Sequence, residues 1–372
     1  MNVEYYKPSL LNVFRFKGSI IPNVILQTLI ITLFTAIITG VHITTNIKLS
    51  IPESLILIPV TGFSISLLLT YRLNSACNTY MESRKTWSGV VVCIRNITRL
   101  IWVDIRSANE TDKKEEKEIL IEKRAAIRLL VGFAFALKHF LRGEDGNILE
   151  DIKPYLSVRS HLPGFEILNQ LEIITDNQTP KTLHFINKKK QPVQPFIDLK
   201  HNLPLEITLY ISSYVTTQFR KKRIEVPMAN VLLAMINEMV LYITRFERIL
   251  KTPLPLAFSI HLYQTLWIYC LSLPFQFVAI VGWLTIVIVF FVAFILFGVE
   301  RIAAEVENPF GDGYNHFDLD YFCETIKREV SDILKHEPPD DSHWVFDFES
   351  SSFTNDITQS KEDVNANNEI HE

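Results

Sequence analysis

Three stretches of the chain contain no Asp, Glu, Lys or Arg: residues 18–47, 54–71 and 252–299, which are 30, 18 and 48 residues long. A helix rises 1.5 Å per residue and needs about 20 apolar residues to cross the hydrocarbon core of a bilayer. The first two stretches therefore predict one crossing each. The third is long enough for two, and Pro274 divides it into predicted spans near Pro255–Leu273 and Phe275–Phe297.

The pattern thus predicts an all-α membrane protein with four transmembrane helices in each subunit. The competing interpretation is a soluble protein with buried helices. It requires 48 consecutive uncharged residues, ending in WLTIVIVFFVAFILFG, to be kept from water. The membrane interpretation is therefore favoured.

The charged residues between these stretches define the other parts of the chain. Lys and Arg tend to stay on the cytoplasmic side of a membrane. Here they precede spans one and three and follow spans two and four, so both termini are expected in the cytoplasm. The predicted parts are a cytosolic N-terminus (1–17), spans one and two (18–71), a helical cytosolic region (72–251), spans three and four (252–299), cytosolic C-terminal helices (300–336), and an acidic tail expected to be disordered (337–372).

The cytosolic region contains one ambiguous segment, Ala125–Leu141, in which only Arg128 and Lys138 are charged. It is marginal in length for a fifth span, and its internal charges favour a buried cytosolic helix. Helical periodicity also predicts helices at Pro204–Arg223 and Pro227–Leu250. The basic run at the end of the former complements a helix C-terminus.

Past the last span, the sequence Asn308-Pro-Phe-Gly311 predicts a sharp turn between two helices. The second of these helices has apolar residues at helical spacing, including Phe322 and Ile326. Either Asp318 or Asp320 is placed to cap its N-terminus.

Composition and motifs argue against several other classes of protein. The net charge is −4, so a nucleic-acid partner is not expected, and the four cysteines have no paired spacing. The chain has no glycine-rich phosphate loop, HExxH or GxSxG motif. We therefore expect that the protein is not an enzyme and that it has no catalytic residue, cofactor or metal site. His42 and His261 lie in apolar stretches, where packing is favoured over a functional role.

The spans contain no charged residue, whereas a secondary transporter normally places ionisable groups near the membrane midplane. Four uncharged helices are also too few to enclose a transport cavity by themselves. Assembly of several copies around an axis is the more plausible way to build a pathway.

Several segments in order resemble the bestrophin family, in particular its bacterial and fungal branch, over residues 10–335. The segments are Phe16-Lys-Gly-Ser19, Ile58-Pro-Val-Thr-Gly-Phe63, Tyr71-Arg-Leu-Asn-Ser-Ala, Met81-Glu-Ser-Arg-Lys-Thr-Trp87, Thr252-Pro-Leu-Pro-Leu256 and Glu307-Asn-Pro-Phe-Gly311. From the resemblance we expect structural roles for Gly62, Arg72, Glu82, Arg84, Trp87, Asn308, Pro309, Phe310 and Gly311.

The resemblance implies a homopentameric ion channel in which span two lines a central pore with an apolar neck. Matching the Gly-Phe pair places Phe63 at one ring of this neck, with Pro59 and Leu55 at the preceding turns. Spacing of four residues keeps all three on one helix face. The alternative is that they are ordinary packing residues. Pro59 stands where animal members have an aromatic residue. Because proline lacks a backbone donor and can kink a helix, the neck here could be bent or wider.

The resemblance also has a limit at the calcium site of animal bestrophins. Those proteins follow the turn with an acidic run, whereas this chain continues Asp312-Gly-Tyr-Asn-His316. Calcium takes six to eight oxygen ligands, several of them carboxylates. We therefore expect no tight calcium clasp and no other cofactor.

The leading hypothesis is an anion channel that conducts chloride. Its expected partners are further copies of the same chain, the lipid bilayer and the permeating ions. The alternatives are a cation-permeable channel of the same family, a membrane transporter or membrane enzyme that depends on His42 or His261, and a scaffold that binds a partner through the acidic tail.

Overall fold

The computed structural model describes residues 18–45, 57–107, 113–144, 151–152, 154–155 and 202–338. These residues form eight long helices and contain no strand. The helices are α1 (Ile21–Thr44), α2 (Leu57–Asp104), α3 (Lys113–Arg142), α4 (Leu203–Arg220), α5 (Val226–Lys251), α6 (Leu256–Val281), α7 (Leu284–Glu307) and α8 (Leu319–Lys335).

The buried apolar side chains form two separate clusters. The first, here called the membrane cluster, joins α1, the N-terminal part of α2, α6 and α7, and includes Ile31, Ile65, Leu266 and Phe297. The second, named the cytosolic cluster for the location that the sequence predicts, joins the rest of α2 with α3, α4, α5 and α8. Helix α2 has 48 residues, or roughly 72 Å at 1.5 Å per residue, so it runs through both clusters. The membrane cluster therefore contains the four helices that the sequence predicts as spans.

Helix α5 is apolar and long enough to cross a membrane, as are α1, α6 and α7. Its packing assigns it elsewhere, because Ile236, Met239 and Phe246 are buried in the cytosolic cluster. The ring of Phe246 lies 6.3 Å from that of Trp87 on α2. The structure therefore groups α5 with the helices of this second cluster and not with the membrane cluster.

The predicted division of the third stretch at Pro274 is wrong. Helix α6 continues through Pro274 to Val281 and ends at Gly282, which has φ +56°. Proline removes one backbone donor, but neighbouring polar side chains commonly satisfy the freed carbonyls in membrane helices. The sharp turn needs a positive φ, which glycine adopts readily, so the hairpin forms at Gly282.

The ambiguous segment in α3 is a buried helix of the cytosolic cluster, with Ile127, Phe133 and Leu137 fully buried. The segment thus packs in the second cluster, apart from the helices of the membrane cluster, and its location on the cytosolic side stays a prediction. Helices α4 and α5 also form where periodicity predicted them. Asp318 caps α8, because its Oδ1 accepts from the Tyr321 amide at 3.0 Å.

Three predictions concern residues outside the described ranges: the cytosolic N-terminus 1–17, the acidic tail beyond residue 338 and the neck residue Leu55.

Candidate ion-conduction pathway

One face of α2 is uncovered within the membrane cluster. Phe63 is 72% exposed and Leu67 is 62% exposed, whereas Ile65 and Leu69 are buried against the neighbouring helices. A single chain thus leaves an apolar stripe of α2 without a partner. Such a stripe faces lipid, another subunit or the axis of an assembly.

Pro59 and Phe63 both lie on this exposed face, one helical turn apart. Gly62 belongs to α2 and faces α6, where an added Cβ would meet the Tyr269 hydroxyl at 3.1 Å. Gly62 is thus turned toward α6, whereas its neighbour Phe63 is exposed. The structure brings two of the three predicted neck residues to one face, and their role in conduction stays a prediction.

Arg72 connects three helices where α2 leaves the membrane cluster. Its guanidinium contacts Ser259 Oγ on α6 at 2.5 Å, and Glu307 and Glu300 on α7 at 3.3 and 3.8 Å. Only 5% of Arg72 is exposed. Glu307 also accepts from the Leu254 amide at 3.2 Å, so one arginine and one glutamate tie α2 to both helices of the α6–α7 hairpin.

The next family-motif residues fasten α2 to the cytosolic cluster. Glu82 forms an ion pair with Arg248 of α5. The Arg84 guanidinium lies 4.3 Å above the ring of Phe322 on α8, a cation–π contact. Trp87 is 1% exposed and packs edge-on against α5.

The turn after α7 is hydrogen-bonded and packed into the cytosolic cluster. The Asn308 side-chain oxygen accepts from the Phe310 amide at 3.4 Å, and the Pro309 carbonyl accepts from the Phe317 amide at 2.9 Å. Phe310 is 1% exposed. A Cβ at Gly311 would meet the ring of His316 at 2.8 Å, so only glycine fits there without movement.

The carboxylates that follow this turn have cationic partners from α3. Asp312 lies 3.4 Å from Arg142, and Asp320 lies 2.9 Å from both Arg142 and Lys138. Burial opposes ionisation of Asp320, but hydrogen bonds from the two cations lower the pKa of its carboxyl. The part of the chain that the structure describes contains no cluster of three or more His, Cys, Asp or Glu that could hold a metal ion. The expected absence of a calcium clasp stays a prediction.

Sequence reasoning missed the role of Arg223, which it interpreted as part of a basic run at a helix end. The side chain is 6% exposed and lies 3.0 Å from both Glu115 and Glu122 of α3. Nothing in the basic run distinguishes Arg223 from its exposed neighbours, because the carboxylates that bury it come from about 100 residues earlier.

These features define an integral membrane protein whose longest helix joins the four helices of the membrane cluster to a second helical body. The family model described as Bacterial/Fungal Bestrophin protein matches residues 2–332. The chain therefore belongs to the bacterial and fungal bestrophin family, and the resemblance seen in the sequence is confirmed.

Two curated relatives are similar over most of their length. A protein of Nostoc sp. is 31% identical over 330 residues, which cover 89% of this chain and 93% of the relative. A protein of Synechocystis sp. is 32% identical over 324 residues, with coverages of 87% and 91%. Both are named voltage-dependent anion channel-forming proteins.

A crystal structure of a bacterial bestrophin homologue from Klebsiella pneumoniae has the same fold. Its TM-score is 0.63 at 20% sequence identity, and the match covers 84% of this chain and 100% of the homologue.

Proposed function

We propose that the protein is an anion channel that conducts chloride through a central pore lined by α2. The observation that carries the proposal is the uncovered apolar face of α2, with Phe63 72% exposed in the single chain. The names of the Nostoc and Synechocystis relatives supply the class of ion.

The pore requires several copies of the chain, and we propose five, as the family resemblance implies. Packing of α2 against copies of itself around an axis gives the exposed stripe a partner. Leu55, Pro59 and Phe63 then form successive apolar rings of the neck. An uncharged constriction of this kind gates by dewetting, while helix dipoles and polar side chains contribute selectivity.

The proposal places both termini and the body built from α3, α4, α5 and α8 in the cytoplasm. It includes no catalytic residue, no cofactor and no calcium requirement. The pairing of Asp312 and Asp320 with Arg142 supports the last point, because the same oxygens would have to leave their cations to bind a metal ion.

The neck is tested by removing its largest side chain. Phe63→Ala in purified, assembled protein is expected to raise single-channel conductance, because the apolar constriction becomes wider. Phe291→Ala is the matched control, since Phe291 is a 56% exposed phenylalanine on a different span, α7. Equal conductance of wild type and Phe63→Ala, with the oligomer intact by size-exclusion chromatography, would contradict the neck assignment.

A further inference from the structure

A cavity of about 420 Å³ lies between α3 and α8 on the surface of the cytosolic body. Val131, Val330 and Leu334 form its apolar floor. Its rim contains four basic side chains: Arg124 and Arg128 from α3, and Lys327 and Lys335 from α8. The volume lies in the range of pockets that bind small molecules.

Tyr155 forms a wall of this cavity and is held in place by α3. Its ring stacks on Phe135, with centroids 5.4 Å apart and an interplanar angle of 19°. Gly132 permits this approach, because a Cβ at that position would meet the Tyr155 Cβ at 3.1 Å. The cavity is thus bounded by packed groups as well as by exposed side chains.

Two of the four cations are already neutralised. Lys327 lies 2.9 Å from Glu324, and Lys335 lies 2.8 Å from Asp332. In contrast, neither Arg124 nor Arg128 has an ion pair with a carboxylate in the described ranges.

The two arginines lie four residues apart on one helix face, an arrangement that slightly destabilises a helix through like-charge repulsion. A guanidinium binds the oxygens of phosphate or carboxylate in a bidentate manner. Two uncompensated guanidinium groups beside an apolar floor therefore favour a dianion that carries a ring or another apolar body.

The position of the cavity indicates a soluble ligand and not a lipid headgroup. The half of α8 that lines it is fastened to the distal part of α2, because Arg95 pairs with Glu329 at 2.6 Å and Trp102 Nε1 donates to the His336 carbonyl at 3.0 Å. Arg95 is 24 residues beyond Tyr71, the last residue of the uncharged stretch, which is roughly 36 Å along the helix. This is well beyond the headgroup region of a bilayer.

We propose that this cavity binds a soluble phosphate monoester with an aromatic or apolar body, through Arg124 and Arg128. The phosphate takes the two free guanidinium groups, and the body packs on the half-buried side chains of Leu334 and Tyr155.

Calorimetric titration of the full-length protein in detergent, with three probes, tests the site without any measurement of ion flux. AMP carries both the phosphate and the ring, inorganic phosphate only the anion, and adenosine only the body. AMP is expected to bind most tightly of the three probes, and inorganic phosphate is expected to bind less tightly than AMP. The affinity for AMP is expected to fall as the salt concentration is raised. Adenosine is expected not to bind.

The double variant Arg124→Gln/Arg128→Gln is expected to bind AMP at least about 10-fold more weakly, because two charge-assisted contacts are lost. Arg328→Gln is the control, since Arg328 is an exposed arginine of α8 that does not line the cavity. Ser331→Phe, at an exposed lining residue, is expected to block AMP while leaving every charge in place.

No binding of AMP at millimolar concentration would overturn the proposal. The same holds for equal binding by the double variant and by Arg328→Gln. Binding that appears only after removal of residues 340–372 would also overturn it, because the acidic tail of the chain would then be the occupant.

Discussion

Replacement of Arg72 by methionine is expected to destabilise the protein severely. Arg72→Met keeps a long apolar stem but removes the cation that faces Glu300 and Glu307. The variant leaves the carboxylates of α7 without this partner at the edge of the membrane cluster. It also removes the donor to Ser259 on α6.

The size of the effect follows from burial. The Arg72 side chain is 6% exposed, and the side chains of Glu300 and Glu307 are 17% and 22% exposed. Breaking a buried ion pair by removing one partner costs about 3–5 kcal/mol, because the other charge stays desolvated. A loss of this size lowers the melting temperature by on the order of 10 °C.

Arg95→Met is the matched control. Arg95 is also an arginine of α2 paired with a glutamate, Glu329 at 2.6 Å, but its side chain is 50% exposed. Exposed pairs contribute about 0–1 kcal/mol. Thermal unfolding in detergent, followed by tryptophan fluorescence, compares the two variants. If Arg72→Met melted no lower than Arg95→Met, the structural role assigned to Arg72 would be wrong.

Three further predictions concern pH, backbone geometry and calcium. Burial lowers the pKa of Lys123 to about 8, with Arg106 adding to the effect, so the folded protein releases this proton before the unfolded chain does. The free energy of unfolding is therefore expected to rise between pH 8 and 10.5, by up to about 3 kcal/mol relative to the Lys123→Met variant. Denaturant titrations that gave parallel pH profiles for the wild type and this variant would contradict the prediction. Gly282→Ala is expected to lower the free energy of unfolding by about 1–3 kcal/mol, because φ is +56° at this residue. Gly40→Ala, in the interior of α1, is expected to be neutral or stabilising. Equal melting temperatures of the two variants would refute the argument for a glycine at the turn. Micromolar calcium is expected to leave open probability in bilayers unchanged, and steep activation would refute the predicted absence of a clasp.

The sequence was sufficient to predict four helices in the membrane cluster and to predict that the segments of α3 and α5 are not spans. Absence of charge over 18 or more residues is a strong signal, since a bilayer excludes ionised groups. Periodicity placed α5 and α8 within a few residues of their observed bounds. The turn between α6 and α7 was misplaced because Pro274 is a stronger local signal than Gly282, although a membrane helix tolerates the proline.

Other features depend on contacts between distant parts of the chain. The burial of Arg223 is determined by Glu115 and Glu122, and the close approach at Gly62 is determined by Tyr269. No local pattern encodes such pairs. The exposed face of α2 is a similar case, because only the packing of α1, α6 and α7 shows which side of the helix stays uncovered.

The proposed channel is tested most directly by the reversal potential of current through purified protein in a planar bilayer under a potassium chloride gradient. The account predicts discrete openings whose current reverses near the equilibrium potential of chloride. Reversal near that of potassium would contradict anion selectivity, and an assembled protein that carried no current would contradict the pore itself.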